Sequence, residues 1–194
     1  MRAFQVLALA ALVLAPSAAL ARAERPLTRE ALVATIKSDR AWCAGWRETD
    51  QSCEEVVFLE PVKNLFSQTR RYRIYEGSDF EMVVRNTVKL EAGKLCWTYR
   101  FVEMDIAFLE AGARASREQA AAMTVVMRET MAELEGKVVC EAFSRDDVTG
   151  EIAASATLDG ERAPEYDSRF RLLPPDSRVK LRGVFEDTPE PTTT

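Results

Sequence analysis

Residues 80–91 read FEMVVRNTVKLE, and apolar side chains recur among them at every second position. This alternation is typical of an antiparallel strand with one buried face and one wet face. Val83 and Asn86 depart from it. The stretch predicts a strand of an antiparallel sheet whose apolar face packs on a core. The apolar face carries Phe80, Met82, Val84, Val88 and Leu90, and the polar face carries Glu81, Arg85, Thr87, Lys89 and Glu91.

Similar strand-like stretches lie on both sides of residues 80–91. The sequence EAGK at 91–94 suits a hairpin turn, so the next stretch is expected to pair back on this one. Near the end of the chain, PPDS at 174–177 is expected to join the last two stretches in a hairpin. The other candidate strands are residues 55–62, 67–76, 95–109, 137–143, 151–158, 166–173 and 178–185.

Residues 117–135 break the strand pattern and have the features of a helix. Ser116 and Gln119 form a capping box, and Gly136 suits the position after a helix end. The apolar spacing favours ordinary core packing, although the methionines also suit an adaptable ligand surface. The residues at helical spacing are Met123, Val126, Met127, Thr130 and Leu134, with Met131 beside them.

The order of elements predicts an α+β fold. A short N-terminal helix is expected at residues 29–40, with Thr28 as its N-cap. About four strands, the long helix and about four more strands follow, an order that indicates hairpin connections. We therefore expect a curved antiparallel sheet of about seven to eight strands packed on the one long helix. The alternative is a calycin-like barrel with a flanking helix.

Residues 1–23 have the features of a secretory signal peptide. Arg2 supplies a positive charge, residues 4–14 are almost wholly apolar, and Ala21 and Ala23 suit a cleavage site after Ala23. An uncleaved membrane anchor is the alternative, but the apolar run is shorter than the roughly 20 residues that a membrane span needs. The interpretation favours a secreted or periplasmic protein, with the bacterial periplasm as the expected location.

The remaining chain is expected to be a single domain, residues 24–188, followed by a disordered tail, residues 189–194. The tail is rich in proline and threonine and lacks large apolar residues. Loss of Arg2 and Arg22 with the leader takes the formal charge of the chain from −5 to −7. No nucleic-acid partner is expected for an exported acidic protein. No later run is long and apolar enough to predict a membrane span.

An even number of cysteines in an exported chain predicts a disulfide framework. The four residues are Cys43, Cys53, Cys96 and Cys140, and they allow three pairings. We favour Cys43–Cys53, which closes a short polar loop. We pair Cys96 with Cys140, which ties one strand to the strand that follows the long helix.

The chain contains no histidine. Cys–His and Ser–His–Asp catalytic arrangements are therefore excluded, as are histidine-ligated zinc and copper sites. The CxxC redox motif, the dinucleotide-binding glycine motif, the P-loop and the GxSxG motif are all missing from the sequence. We expect no catalytic residue, no metal and no cofactor.

The last two candidate strands carry a basic face opposite their apolar face. Such a face suits an anionic ligand or an acidic protein surface. The alternative is a solvated sheet face whose charges prevent edge-to-edge aggregation. The candidate ligand-binding residues are Arg169, Arg171, Arg178, Lys180 and Arg182, and a second small cluster comprises Arg70, Arg71 and Arg73.

Two functions can be distinguished at this stage, and a third, a structural or inhibitor protein recognised through its surface loops, cannot be separated from the first by sequence. The first is an exported, non-catalytic binding module of the bacterial cell envelope, which holds a small amphiphile or a protein partner. The second is a hydrolase or transferase of the periplasm that uses carboxylates. An apolar tunnel favours the binding module, whereas two carboxylates that face each other in a cleft favour the enzyme. The sequence does not indicate an oligomeric state.

Overall fold

The computed structural model describes residues 24–38, 40–75, 79–174, 177 and 179–185. The predicted signal peptide and tail lie outside these residues. The two α-helices are α1 (Arg29–Ile36) and α2 (Arg117–Thr130), and 3-10 turns span Phe101–Glu103, Ala132–Leu134 and Pro164–Tyr166. The strands are β1 (Glu24–Pro26), β2 (Ala41–Ala44), β3 (Ser52–Cys53), β4 (Glu55–Val62), β5 (Leu65–Tyr75), β6 (Phe80–Glu91), β7 (Lys94–Thr98), β8 (Asp105–Glu110), β9 (Ala113–Arg114), β10 (Val138–Asp146), β11 (Ile152–Leu158), β12 (Glu161–Arg162), β13 (Ser168–Leu173), β14 (Lys180–Leu181) and β15 (Gly183–Phe185).

Eight of the strands close into an antiparallel barrel. Each barrel strand pairs with the next one along the chain, and the last pairs with the first, so the chain runs up and down around the barrel. Inward and outward side chains alternate along each strand, as the barrel geometry requires. The barrel strands are β2, β4, β5, β6, β7, β10, β11 and β13.

The predicted α+β fold, a curved sheet packed on one long helix, is wrong. Strands make up 53% of the structure, and none of the described residues of α2 is buried. The period-two pattern of residues 80–91 shows that one sheet face is buried, but it does not show what covers that face. Here the sheet curls until its apolar face covers itself. The alternative architecture, a barrel with a flanking helix, is the one that forms.

One end of the barrel is filled by a packed core. Trp42 of β2 meets Phe143 and Phe170 edge-on, with ring centroids 5.7 Å away in both cases. Helix α1 closes this end with Leu32 and Ile36, whose exposed fractions are 0% and 1%. The helix begins after its N-cap Thr28 as predicted. It ends at Ile36, earlier than predicted, because the chain must extend to enter β2 at Ala41.

A long excursion, residues 100–135, separates β7 from β10. It leaves and returns at one point, where the Tyr99 amide donates to the Lys137 carbonyl and the Gly136 amide donates to the Tyr99 carbonyl, each at 2.8 Å. Within it, β8 extends the sheet by pairing with the first half of β6. Helix α2 follows, and the predicted capping box of Ser116 and Gln119 is confirmed.

Both predicted disulfides are confirmed. Cys43 pairs with Cys53, and Cys96 pairs with Cys140, with Cα–Cα distances of 5.5 and 4.1 Å. Cys96 and Cys140 lie directly opposite each other on β7 and β10, at the base of the excursion. Among the described residues, no helix is long and apolar enough to span a membrane.

The predicted final hairpin does not form between residues 166–173 and 180–185. Strand β13 pairs with β11 on one side and β2 on the other. Barrel closure therefore leaves β13 no free edge for the segment that follows it. That segment instead adds two short parallel pairings elsewhere, β14 on β3 and β15 on β5.

Candidate ligand-binding cavity

A cavity of about 790 Å³ lies in the half of the barrel away from α1. Its volume is within the range of small-molecule sites, roughly 300–1,000 Å³. The strands pass from core to cavity along their length: on β5, Phe66 packs in the core and Ile74 lines the cavity. The apolar lining from the strands and the loops includes Ile74, Met82, Val84, Tyr99, Met104, Ile106, Val139 and Leu158.

Helix α2 supplies one wall of the cavity. Met123, Val126 and Met127 line it, yet the helix has no buried residue and Val126 is 53% exposed. The apolar face that we assigned to core packing therefore borders an open space. The other interpretation of the methionines, an adaptable ligand surface, fits this position.

A layer of polar side chains separates the packed core from the cavity. At its centre Arg70 of β5 binds two carboxylates, with Nη1 2.9 Å from Oε1 of Glu55 and Nη2 2.8 Å from Oε1 of Glu141. The three side chains are 15%, 10% and 6% exposed. We call Glu55, Gln68, Arg70, Asn86 and Glu141 the polar layer, and all five line the cavity.

The electrostatics of the polar layer hold Arg70 in its charged form. Burial lowers the pKa of the Arg70 guanidinium, but the nearby Glu141 and Glu55 carboxylates outweigh this effect and hold the pKa well above its ordinary value. The guanidinium also lies over the Trp97 ring, 5.6 Å from its centroid. Burial, reinforced by the Glu55 carboxylate, raises the pKa of Tyr72, so its phenol stays protonated.

Two acceptors in the polar layer have no hydrogen-bond donor among the described residues. Gln68 and Asn86 lie opposite each other on β5 and β6, and Gln68 is only 1% exposed. Oε1 of Gln68 and Oδ1 of Asn86 are buried and accept no hydrogen bond from the part of the chain that the structure describes. Buried acceptors without a donor are unfavourable, so we expect these two atoms to accept from a water molecule or a ligand donor in the cavity.

The predicted basic residues on β13 lie on the outer surface of the barrel. Arg169 pairs with Glu24. Arg171 donates to Oε2 of Glu48 at 2.7 Å and lies over the Trp46 ring, 5.1 Å from its centroid. The hydrogen bond from Trp46 and the Arg171 guanidinium hold the pKa of Glu48 below its ordinary value.

Two further predicted basic residues, Lys180 and Arg182, lie on the segment that pairs with β3 rather than with β13. Arg182 donates to Oε1 of Glu54 at 2.6 Å, and Lys180 is exposed on β14. Arg178 lies outside the described residues. The structure thus does not place the described members of this set on one hairpin, and their ligand-binding role stays a prediction.

Arg171 also lines a second cavity, of about 520 Å³, which is bordered by β10, β13 and the turn that follows β10. Arg40 and Arg145 line it too, and Glu151 is its one acidic lining residue among those described. Three guanidiniums and one carboxylate give this cavity a formal charge of +2.

Sequence analysis missed the polar layer, although the strand parity points to it. We grouped Arg70 with Arg71 and Arg73, but Arg70 shares the parity of the inward residues of β5. Asn86, an apparent exception in residues 80–91, is in phase with the apolar face of β6. Polar residues at inward positions of apolar strands are the signal that identifies such a layer.

Comparison with known proteins assigns no family. No protein-family model, no curated protein and no solved structure matches the chain. Functional inference therefore depends on the geometry and charge of the residues described above.

Proposed function

We propose that this protein is an exported, non-catalytic binding module that holds a small amphiphile inside its barrel. The observation that carries the proposal is the apolar cavity of about 790 Å³ with a polar layer at its inner end. An apolar cavity with a few convergent polar groups is the usual form of a small-molecule site. The two disulfides fit a secreted or extracellular module, and the bacterial periplasm is the proposed location.

Binding is favoured over catalysis because both carboxylates of the polar layer are already engaged with Arg70. Arg70 lies between Glu55 and Glu141 and donates a hydrogen bond from one terminal nitrogen to each carboxylate. A general acid or base must reach a substrate proton, whereas these carboxylates are engaged with a fixed cation. The arrangement supports recognition of a ligand end.

Titration with Nile red, an uncharged dye that fluoresces in apolar surroundings, tests the proposal. The wild-type protein is expected to give a saturable increase in fluorescence. Val84→Trp, which fills the cavity from β6, is expected to weaken it. Thr87→Trp, on the outer face of the same strand, is the matched control and should leave it unchanged. Absence of saturable binding to the wild type, both of the dye and of ten-carbon amphiphiles followed by calorimetry, would overturn the proposal.

A carboxylate-dependent hydrolase or transferase is the second candidate, because Glu55 and Glu141 both line the cavity. A panel of nitrophenyl esters and glycosides tests it. Turnover that is lost in Glu141→Gln while Nile red binding persists would favour the enzyme. Turnover that persists in Glu141→Gln, or no turnover by the wild type, would count against this candidate.

A further inference from the structure

The ionisable groups that line the cavity are mostly acidic. Glu55, Glu141, Glu165 and Asp167 line it, and Arg70 is the one cation among the lining residues that the structure describes. Four carboxylates and one guanidinium give a formal charge of −3. Asp167 is neutralised by Arg162, whose Nη1 lies 2.6 Å from Oδ1 of Asp167. Excess negative charge remains at Glu165 and in the polar layer.

The polar layer itself carries a net formal charge of −1, because two carboxylates share the Arg70 cation. Both terminal nitrogens of Arg70 are already bound to carboxylate oxygens. A carboxylate or phosphate that entered this site would therefore meet like charge where water screens it poorly. A cation would meet compensating charge.

Hydrogen bonding points the same way. Oε1 of Gln68 and Oδ1 of Asn86 are acceptors without a donor among the described residues. An ammonium group carries three donors and no acceptor. A carboxylate offers acceptors only and would leave both amide oxygens unsatisfied.

We propose that the cavity selects amphiphiles with a cationic amine head, which lies against the polar layer while the apolar tail lies along the methionines of α2. This inference rests on the proposed binding function and adds the ligand class to it. Two independent features carry it: the excess of carboxylates over guanidinium, and the two unsatisfied amide acceptors. Met123 and Met127 provide an adaptable surface for tails of different shape.

Displacement of Nile red by three ligands with the same tail tests the head-group preference. Decylamine is expected to bind at least about tenfold more tightly than decanoic acid, because like charges placed side by side oppose binding, with decanol between them. Equal affinities, or tighter binding of decanoic acid, would overturn the inference while leaving the binding function intact. If Nile red does not bind, calorimetry with the same three ligands tests the binding function and the amine preference together. No heat from any of them would overturn both claims, and saturable heat from decylamine alone would support both.

Two variants, Glu141→Gln and Val84→Trp, test whether the amine binds inside the cavity. Glu141→Gln removes one charge but keeps an acceptor for Arg70, and it is expected to reduce the preference for decylamine over decanoic acid by about tenfold. Glu60→Gln, on the exposed end of β4, is the matched control and should retain the preference. Val84→Trp should abolish decylamine binding. Unchanged preference in Glu141→Gln, or amine binding that survives in Val84→Trp, would place the amine on the acidic outer surface and overturn the inference.

Discussion

Arg70 is the cation that pairs with the buried carboxylates of Glu55 and Glu141 inside the barrel. In Arg70→Met, Glu55 and Glu141 would be left buried without their cation. Because removal of one partner from a buried ion pair typically costs about 3–5 kcal/mol, we expect a loss of stability of that order. Urea unfolding followed by circular dichroism measures it.

Arg71→Met is the matched control for this change. Arg71 is the next residue on β5, and its guanidinium binds Glu81 at 2.6 Å with the arginine side chain 41% exposed. Surface ion pairs typically contribute less than about 1 kcal/mol, so this variant should lose much less stability. Equal losses in the two variants would mean that the polar layer has no special place in the fold.

The raised pKa of Tyr99 is expected to make the free energy of unfolding fall as pH rises through the alkaline range. Burial, together with the Glu135 carboxylate, raises the pKa of Tyr99 to about 12 from the ordinary 10.0. Between these two values the unfolded chain has lost the proton that the folded chain keeps, so stability falls as pH rises. The contribution is fully present below pH 10 and is lost as pH approaches 12.

Tyr99→Phe tests this dependence, because phenylalanine does not titrate. The variant is expected to lose less stability than the wild type between pH 9.5 and 11.5, in urea unfolding measured at several pH values. It also loses the hydrogen bond from the Tyr99 hydroxyl to Sδ of Met131, which spans 3.0 Å. A small loss at neutral pH is therefore expected as well. Equal losses of stability with pH in the wild type and in Tyr99→Phe would contradict the raised pKa of Tyr99.

Individual residues of the site were partly within reach of the sequence. The parity of Arg70 and Asn86 could be read from their strands, since each alternates in phase with apolar neighbours. That these side chains meet in one layer could not be read from the sequence. Glu55 and Glu141 reach the same guanidinium from β4 and β10, which lie on opposite sides of the barrel, and only barrel closure and the strand register bring them together.

At the scale of the element, α2 presents two neighbouring valines to different surroundings. Val126 lines the cavity and Val125 does not, although they are 53% and 57% exposed. Val126→Asp is expected to weaken Nile red binding several-fold, since it places a carboxylate against an apolar ligand. Val125→Asp should not weaken dye binding. It makes the same change in helix propensity, but residue 125 does not line the cavity. Fluorescence titration of both variants decides whether α2 borders the ligand.

The helices themselves were predictable because their signals are local. Thr28, and Ser116 with Gln119, fix the starts of α1 and α2 through hydrogen bonds within one turn. Their ends were predicted several residues too far. The final hairpin failed for a different reason: the partners of β13 depend on closure of the whole barrel, which the turn sequence PPDS does not encode.

At the scale of the whole molecule, the two disulfides are expected to contribute unequally. They close loops with sequence separations of 10 and 44. Loop-closure entropy predicts about 3 kcal/mol for Cys43–Cys53 and about 4 kcal/mol for Cys96–Cys140. Unfolding of Cys96→Ala/Cys140→Ala should therefore occur at lower urea concentration than that of Cys43→Ala/Cys53→Ala. The reverse order would show that native packing around the short loop outweighs chain entropy.

The closed barrel was the second architecture that the sequence favoured, and the reason is general. Alternation along a strand reports that one face is buried, but an open sheet on a helix and a closed barrel bury that face equally well. The amphipathic face of α2 added to the ambiguity, because an apolar helix face predicts contact with apolar surroundings without distinguishing a core from a cavity.

The junction at Tyr99 and Gly136 has one more consequence. The chain departs for α2 and comes back at adjoining residues, with the Cys96–Cys140 crosslink just behind them. The segment between them thus begins and ends at neighbouring positions on one side of the barrel. The wall that α2 gives to the cavity is encoded in one continuous stretch, whereas the polar layer lies on barrel strands. A protein engineer, or natural variation, can therefore vary the contact with a ligand's tail by rewriting residues 100–135 while the residues around Arg70 stay unchanged.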